Sequence, residues 1–488
     1  MRSRSARALS PLIVMAALAA AACGAGSPDT LLTGSSSPSP TSTASTSPAA
    51  RTTPTTPAAC APASSPAPSS GTSSSGSSVS GPGGSGSGSA TVGTGAYSQS
   101  GGSASKSGQT ITAAASDESG VLVNESGELN LTGVAVTTTG ASTSSDDSSF
   151  YGLDAGVLAL NGSTITESGG SVTTSGDGAN AIFAYGSGSS VTATGVTASA
   201  TGQYAHGVMA SGGGSITATD LTVSTTGGSG AAVATDRGGG TITVNGGTFR
   251  TSGGNSPGIY STGTITAKDA TFDATGAEAA VIEGSNSITV TDSQLTGAVN
   301  RGVMIYQSMS GDAQGSAGVF TDTGGSLTAL AGPILYVTNT TATINLAGVT
   351  LRGSSGVLLD AAAGQWGSSG SNGGQATVNA ACQTLSGSVD VDAISTAILN
   401  LTDGSSLSGT IDSAGTAKSV TLSLDGTSRW TVTGTSYLTV LSDSAGISGS
   451  TVTNIVGNGH TVYYTSSANP SLGGETYTLA GGGTLTPA

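Results

Sequence analysis

Apolar and polar residues alternate in short blocks along the chain, and similar blocks recur every 22 to 26 residues. The segments SITATDLTVSTTGG (215–228) and TITVNGGTFRTSGG (241–254) illustrate the repeat, because Ile216 corresponds to Ile242. Side chains alternate between the two faces of a β-strand, so each block predicts a short strand with one apolar face. The glycine-rich stretches between the blocks predict tight turns.

Each repeat contains three such strands. In the second strand, the position predicted to point inward is held by Ile165, Val191, Ile216, Ile242, Ile265 and Ile288. In the third strand, it is held by Val172, Val223, Phe249, Phe272 and Leu295. Three short strands cannot bury a face alone, but stacked repeats pair in parallel and enclose a narrow apolar core. The sequence therefore predicts an all-β parallel solenoid with three short strands per coil of about 22–26 residues.

The sequence does not decide which side of the first strand points inward. It begins with an apolar residue at Val157, Ile182, Val208, Val233, Ile259, Val281 and Val303, with less regular members at Val121, Ile334 and Val357. If these residues point inward, the other face carries an exposed apolar column, formed by Leu158, Phe183, Met209, Tyr260, Ile282, Met304 and Leu335. Such a column would mark an interface. If the phase is reversed, the same residues belong to the core.

The repeat resembles that of right-handed parallel β-helix proteins, most closely the passenger regions of pertactin-like autotransporter adhesins. Repeats such as AHGVMASGGGSITATDLTVSTTGG carry the likeness, as does LSLDGTSRWTVTGTSYLTVL at 422–441, where the matching residues are Trp430, Thr433, Gly434, Ser436 and Leu438. The resemblance implies a right-handed single-stranded β-helix over 91–420, continued by coils and a C-terminal β cap over 421–488. It implies an adhesive role and no catalytic residue.

The N-terminal residues predict secretion. The segment MRSRSARALSPLIVMAALAAAAC has a basic start and a short apolar stretch, so residues 1–22 are predicted to be a signal peptide. Its end, AAAC, resembles a bacterial lipobox, which would make Cys23 the lipidated N-terminus; ordinary cleavage without a lipid is the alternative. Residues 23–90 are rich in Ser, Thr, Pro and Gly and predict a disordered tether. We therefore expect a secreted protein, lipid-anchored to the bacterial cell membrane and exposed at the surface, with the anchor replacing the translocator barrel of the adhesins.

Composition narrows the functions further. The 488 residues include 79 glycines and only 8% charged residues, with a net charge of −15. Nucleic-acid binding requires clustered cations, which the sequence lacks. Two histidines and three cysteines offer no zinc-ligand spacing, and we expect neither a metal nor a cofactor. Cys60 and Cys382 would be free to pair in an oxidising compartment.

Carboxylates offer the candidates for catalysis. Polysaccharide lyases and glycoside hydrolases also use the β-helix scaffold, and they need clustered carboxylates with Arg or His nearby. The best set is Asp236, Arg237 and Glu283, but counting from Val233 and Val281 predicts that the two acids point to opposite faces. His206 is expected to be a turn residue.

A second group of aspartates follows the second strand at equivalent positions, namely Asp220, Asp269 and Asp292. They would either share a calcium ion or cap the turns, and the turn role is the expected one.

Threonines form the one outward feature that repeats. They occupy the central outward position of the second strand at Thr166, Thr192, Thr217, Thr243, Thr266 and Thr289. A regular threonine lattice is found in ice-binding solenoids, although threonine also suits any exposed strand.

Together these patterns predict a surface-anchored protein with a structural or adhesive role and no catalysis, with a surface polysaccharide or a protein as its ligand. A polysaccharide lyase or hydrolase is the alternative, and ice binding through the threonine ladder is the third hypothesis.

Overall fold

The computed structural model describes residues 93–488. The predicted signal peptide, Cys23, Cys60 and all of the predicted tether (23–90) lie outside the described residues. Within the described range, parallel strands in three stacked sheets form a β-solenoid of about 16 turns, so the fold class predicted from the repeats is confirmed. No helix in this range is long and apolar enough to cross a membrane.

Three sheets run along the described part of the solenoid, each taking one strand from successive coils. The first sheet contains Thr94–Ser100, Glu118–Asn124, Val157–Leu160, Ile182–Tyr185, Val208–Ser211, Val233–Thr235, Ile259–Ser261, Ala280–Glu283, Val303–Tyr306, Leu335–Thr338, Val357–Ala361 and Ser388–Val391. The second contains Ser103–Ser107, Glu128–Thr132, Thr164–Ser168, Ser190–Thr194, Gly214–Thr219, Gly240–Asn245, Thr264–Lys268, Ser287–Thr291, Ala317–Thr323, Thr341–Ala347, Gln375–Ala381, Thr396–Thr402, Ser419–Leu424 and Val440–Ser442. The third contains Thr110–Ala113, Ala135–Thr138, Ser171–Thr174, Thr197–Ala200, Thr222–Thr225, Thr248–Thr251, Thr271–Ala274, Gln294–Gly297, Ser326–Ala329 and Thr350–Gly353.

A fourth sheet closes the C-terminal end. It contains Thr384–Ser386, Ser406–Gly409, Arg429–Val432, Ser436–Leu438, Ile447–Ser448, Thr451–Val456, Thr461–Tyr464, Tyr477–Ala480 and Thr484–Pro487. Two short 3₁₀ helices, Ser466–Ala468 and Pro470–Leu472, interrupt it. Trp430 and Tyr464 are fully buried there, and antiparallel pairing of Tyr477–Ala480 with Thr484–Pro487 ends the parallel stack.

The inward positions predicted for the second and third strands are confirmed. All of them are buried within one continuous core, and each pairs with its equivalent in the next coil. Phe249 and Phe272 stack in the lumen with their ring centroids 4.8 Å apart. The repeating isoleucine and aromatic positions are therefore the residues that fill the solenoid.

In most coils the first strand points its opening residue inward, but the register reverses the sides predicted for Val281, Ile282 and Leu335. Val208 lies in the main core, whereas Met209 points outward. Ile259 pairs with Ala280, so Val281 is an outward residue rather than the inward one that the sequence suggested. Likewise, Leu335 pairs with Val303 and points inward, as does Ile282.

The outward apolar column of the first sheet is covered, not exposed. Leu158, Phe183 and Met209 are at most 1% exposed. A short helix, α1 (Ser145–Tyr151), lies over this face, and Ser211 Oγ donates a hydrogen bond of 2.6 Å to the carbonyl of Phe150. The column therefore forms a second apolar layer outside the lumen instead of the predicted interface.

The corner between the second and third sheets requires one residue per coil in the left-handed region. Successive coils place Gly195, Asp220, Gly246, Asp269 and Asp292 there, with φ between 49° and 70°. Glycine, asparagine and aspartate tolerate this conformation, whereas β-branched residues do not. The aspartates are therefore corner residues, as the sequence analysis expected.

Cys382 occupies the same corner further along the chain, with φ of 52°, and is disulfide-bonded. The other two cysteines both lie outside the described residues, so pairing with Cys60 stays a prediction.

Candidate functional site

The outer face of the first sheet brings together the two acids that the sequence analysis had placed on opposite faces. Asp236, Thr262 and Glu283 each lie three residues beyond the in-register residues Val233, Ile259 and Ala280. They therefore occupy one outward row, here called the Asp–Thr–Glu row, in three successive coils. The opposite-face prediction was wrong because it counted from Val281 instead of Ala280.

Glu283 is held by hydroxyl donors. The hydroxyls of Tyr260 and Tyr306 donate to its Oε2 atom at 2.6 and 2.8 Å, and Ser308 donates to Oε1 through its hydroxyl and, at 3.3 Å, through its backbone N–H. The side chain is only 2% exposed. These hydrogen bonds fix the orientation of the carboxyl group. These partners could not be predicted from the sequence, because tyrosines in an apolar pattern look like core residues.

Asp236 lies at the other end of the row in a different environment. It is half-buried, and its Oδ1 atom accepts a 2.6 Å hydrogen bond from the backbone N–H of Arg237. Burial raises the pKa of Asp236 to about 7, and the nearby carboxylates of Asp312 and Glu283 add to the rise. Near neutral pH this carboxyl group is therefore poised between its protonated and ionised forms.

Thr262, between the two acids, is only 3% exposed, and its hydroxyl has no hydrogen-bond partner among the described residues. A buried hydroxyl without a hydrogen-bond partner carries a free-energy cost for the folded chain.

The 307–316 loop covers this row and is joined to an earlier coil. Arg237 Nη2 lies 2.7 Å from Asp312 Oδ1, and the Arg237 guanidinium stacks on Phe150 of α1, 3.8 Å from the ring centroid. Gln307 Nε2 donates to the Gly315 carbonyl at 2.6 Å, which closes the base of the loop. The loop therefore links α1, Arg237 and Glu283 into one surface.

A glycine-lined trough borders the row. It has a volume of about 290 Å³ and crosses successive coils along Gly213, Gly238–Gly240, Gly263 and Ser285–Asn286. Three strand spacings separate the coil of Gly213 from that of Ser285, which gives the trough a span of about 14 Å. The absence of side chains at the glycines leaves room for a ligand to lie along the solenoid axis beside Asp236.

Aromatic residues continue the face beyond Glu283. Tyr306 and Trp366 pack with ring centroids 4.6 Å apart, and Arg301 stacks over Tyr336 at 4.2 Å. Arg301 Nη1 also lies 3.0 Å from Glu278 Oε1. Both arginines that contact this face are thus paired with a carboxylate.

The threonine ladder lies on the outer face of the second sheet. Thr166, Thr192, Thr217, Thr243, Thr266 and Thr289 are in register in successive strands, and all are exposed or half-buried. Thr321 extends the row, after which an asparagine ladder follows: Asn345 Nδ2 donates to Thr321 Oγ1 at 3.0 Å, and Asn379 and Asn400 continue the chain at 2.9 Å. This face is a regular polar strip that carries no titratable group in the ladder row itself.

His206 contributes to the structure rather than to a reaction. Its Nδ1 atom accepts a 2.9 Å hydrogen bond from the backbone N–H of Ala231 in the next coil. Burial lowers the pKa of His206 to about 4, so the ring is neutral at physiological pH. Within residues 93–488, no group of three or more His, Cys, Asp or Glu side chains is arranged to hold a metal ion.

Two further carboxyl groups point into the lumen. Glu167 and Asp322 lie at inward positions of the second sheet, opposite Ala193 and Val290, and are at most 1% exposed. Neither has a hydrogen-bond partner among the described residues. Burial raises the pKa of Glu167 to about 8 and that of Asp322 to about 7.

The sequence matches no protein-family model and no curated protein.

Proposed function

We propose that the protein is an adhesive β-solenoid of the cell surface that binds a linear polysaccharide along the glycine-lined trough. The single observation that supports this most is the trough itself, which runs across successive coils and is lined, besides its glycines, by polar residues such as Thr241, Thr264 and Asn286. Polar groups that line a shallow channel can hydrogen-bond sugar hydroxyls, and neighbouring tyrosine and tryptophan rings add apolar contact.

Anchoring is a proposal from the sequence of residues 1–90. The basic and apolar start, the AAAC segment and the Ser/Thr/Pro-rich stretch support secretion, lipidation at Cys23 and a tether that holds the solenoid away from the membrane. The likeness of the repeats to pertactin-like adhesin passengers supports a binding role over a purely structural one.

Retention on immobilised polysaccharides tests the binding role. The full chain is expected to be retained by at least one linear polysaccharide. Gly239→Asn adds a side chain to the trough at a position with φ of 68°, where an added Cβ atom would make only ordinary contacts of 3.6 Å or more, so binding should weaken at least fivefold without loss of the fold. Gly348→Asn is the matched control, because Gly348 has φ of 65° and lies on a distant corner where an added Cβ atom meets nothing within 4 Å. Equal retention of both variants would contradict the proposed trough.

Glycoside hydrolysis is the second candidate, and the separation of the two acids favours it. Asp236, with its pKa of about 7, suits a general acid, and Glu283 would be the second carboxyl group of the pair. Two strand spacings put their Cα atoms about 9.6 Å apart, close to the 6.5–9.5 Å or so between the carboxyl groups of inverting glycosidases. Release of reducing ends by the wild type, lost in both Asp236→Asn and Glu283→Gln, would establish this function over binding alone.

Ice binding stays the third candidate because the threonines are in register. Parallel strands repeat about every 4.8 Å, which gives the hydroxyls a regular spacing. Shaping of growing ice crystals by the wild type, abolished by Thr217→Tyr, would support it.

A further inference from the structure

A second cavity lies on the same corner of the solenoid as the trough. The trough lies where the chain passes from the first sheet to the second, along Gly238–Gly240 and Ser285–Ser287. Residues 362–374, here called the corner loop, make the same passage further along the solenoid. Together with Asp392–Ile394 of the next coil, the corner loop lines a cavity of about 490 Å³, here called the loop cavity. Pockets of roughly 300–1,000 Å³ are typical of small-molecule sites.

Asn372 holds the corner loop and leaves one acceptor atom unpaired. Its Nδ2 atom donates to the carbonyls of Gly364 and Trp366 at 2.8 and 2.9 Å, which fixes the amide group. The Asn372 side chain lines the loop cavity and is only 5% exposed, and its Oδ1 atom has no hydrogen-bond partner among the described residues. A buried acceptor of this kind is stabilised by a donor, and a ligand hydroxyl in the cavity would provide one.

Asp392 determines the charge of the loop cavity. Its Oδ2 atom accepts a hydrogen bond of 2.7 Å from the backbone N–H of Ala363, and its Oδ1 atom accepts one of 3.1 Å from that of Ile394. Burial alone would raise the pKa of Asp392, but these hydrogen bonds, together with those from Ser395, hold the pKa below its usual range. None of the described residues that line the cavity is Arg, Lys or His. An anionic sugar would therefore meet a like charge without a cation to bind it.

The other lining residues favour a neutral, hydroxylated ligand. Gln365 and Ser369 are exposed and can both donate and accept hydrogen bonds, whereas Ile394 is the one large apolar side chain among the described lining residues. A sugar ring carries several hydroxyls that donate and accept in turn. The loop cavity therefore suits a neutral sugar better than an apolar or an anionic molecule.

The trough and the loop cavity lie in line along the solenoid axis. The exposed residues Ser316, Ala317 and Thr341 lie on the corner between them. In the second sheet, two strand spacings separate Ala317–Thr323 at the end of the trough from Gln375–Ala381 after the corner loop, which is about 10 Å. Seven spacings, or about 34 Å, separate the coil of Gly213 from that of Ile394. A linear polymer along this corner can reach both cavities.

We infer that the loop cavity is a second sugar-binding subsite, and that one neutral, linear polysaccharide occupies it together with the trough. This inference rests on the proposed polysaccharide-binding function. Two subsites held at a fixed separation raise the affinity for a ligand that reaches both, because the second contact forms within the same complex. Short oligosaccharides occupy one cavity at a time and gain nothing from the second.

Calorimetric titration of the full chain with oligosaccharides of two lengths tests the inference. The probes are trimers and decamers of β-1,3-linked glucose, β-1,4-linked mannose and β-1,4-linked xylose, with a galacturonate decamer as the anionic control. At least one neutral decamer is expected to bind at least tenfold more tightly than its trimer, and the galacturonate decamer at least tenfold more weakly than that neutral decamer. Amide hydrogen exchange in residues 362–374 should slow when the neutral decamer binds.

A substitution in the loop cavity makes the test specific. Gly370 lines the cavity with φ of 81°, and an added Cβ atom would meet nothing within 4 Å, so Gly370→Asn should preserve the fold. It should weaken binding of the decamer at least fivefold. Gly348→Asn, at φ of 65° in equally open surroundings, is the matched control and should keep the wild-type affinities. A longer ligand also gains from its repeated binding registers, but that gain would be equal in both variants.

The outcomes separate the inference from the function on which it rests. Decamer affinity that is unaffected by Gly370→Asn overturns the second subsite and leaves binding in the trough in place. Galacturonate binding as tight as that of the neutral decamer overturns the selection for neutral sugars. Failure of every oligosaccharide and of the immobilised polysaccharides overturns the proposed function itself.

Discussion

Arg237 and Asp312 form an ion pair of 2.7 Å between residues 75 positions apart in the chain. The pair joins the turn after one strand of the first sheet to the loop that covers Glu283, three coils further along the solenoid. In a fold whose contacts are mostly between neighbouring coils, such a link couples distant coils through side chains alone.

Removing this pair should loosen the loop more than it destabilises the fold. Arg237→Met breaks both the ion pair and the stacking on Phe150, yet the arginine side chain is 50% exposed. An exposed pair contributes about 0.2–1 kcal/mol, so the free energy of unfolding should fall by no more than about 1–2 kcal/mol in all. Amide hydrogen exchange should become faster in residues 307–316. Unchanged exchange there would show that the glutamate and glutamine contacts hold the loop without Arg237.

The buried Glu167 makes stability depend on pH. Its pKa is about 8 in the folded chain, above the value near 4.5 of the free side chain, so the folded state holds the proton more tightly than the unfolded state. The free energy of unfolding should therefore fall as the pH rises from about 4.5 to 8, by about 3 kcal/mol at pH 7. Glu167→Gln should remove that part of the slope, with a gain at pH 7 and little change at pH 4, as measured by denaturant unfolding.

Asp425 should make the free energy of unfolding depend on pH in the opposite direction. Burial alone would raise its pKa, but hydrogen bonds from the backbone N–H groups of Asp403, Thr427 and Ser428 hold the pKa below its usual range. Asp425→Asn should therefore cost stability at pH 7 and progressively less as the pH falls. If Glu167→Gln instead kept the wild-type dependence of the unfolding free energy on pH, the carboxyl group of Glu167 would have to be hydrated in the lumen.

The left-handed backbone conformation at the corner restricts which residues can replace Asp269. Its φ of 54° suits glycine and aspartate, so Asp269→Gly should change the free energy of unfolding by less than about 0.5 kcal/mol. Asp269→Val should cost about 1–2 kcal/mol, because a β-branched residue is strained in this conformation. Thermal unfolding measures both. A rise in the melting temperature on adding calcium, lost in Asp269→Gly, would instead restore the calcium site considered for these aspartates.

The stacked aromatic pair in the lumen should dominate local stability. Phe272 is fully buried against Phe249, so Phe272→Ala should lower the free energy of unfolding by about 3–5 kcal/mol. Phe272→Leu should cost less, since Leu295 and Leu327 occupy the equivalent place in the following coils. A cost below 1 kcal/mol for the alanine variant would indicate that the lumen collapses around the cavity.

Sequence periodicity was sufficient to predict which residues fill the lumen, but not which residues lie together on the outer faces. The Ile–Thr alternation of the second strand repeats in the same phase, so its inward side was predictable. The inward side of the first strand was not predictable, because Ile259 is followed 21 residues later by the small Ala280, and the adjacent Val281 looked like the inward residue. That shift of one residue moved Glu283 to the wrong face, since alternation has a period of two.

The elements that cover the first sheet, α1 and the 307–316 loop, could not be predicted for a different reason. α1 begins after Ser144, whose side chain caps the N–H of Asp147, and ends at Gly152, so its capping signals are present in the sequence. They occur once, inside a stretch without apolar periodicity. Contacts such as those of Ser308 and Tyr306 with Glu283 depend on loop length and coil register together, and no repeating pattern encodes them.

The parallel stacking also determines how a tethered molecule would respond to force. Hydrogen bonds between coils run along the long axis, so tension applied from end to end loads them in the direction of the bonds, one coil at a time. Each released coil of about 25 residues would add roughly 80 Å of length. Pulled from its two ends, the solenoid would therefore lengthen in steps, and each step would dissipate part of the load.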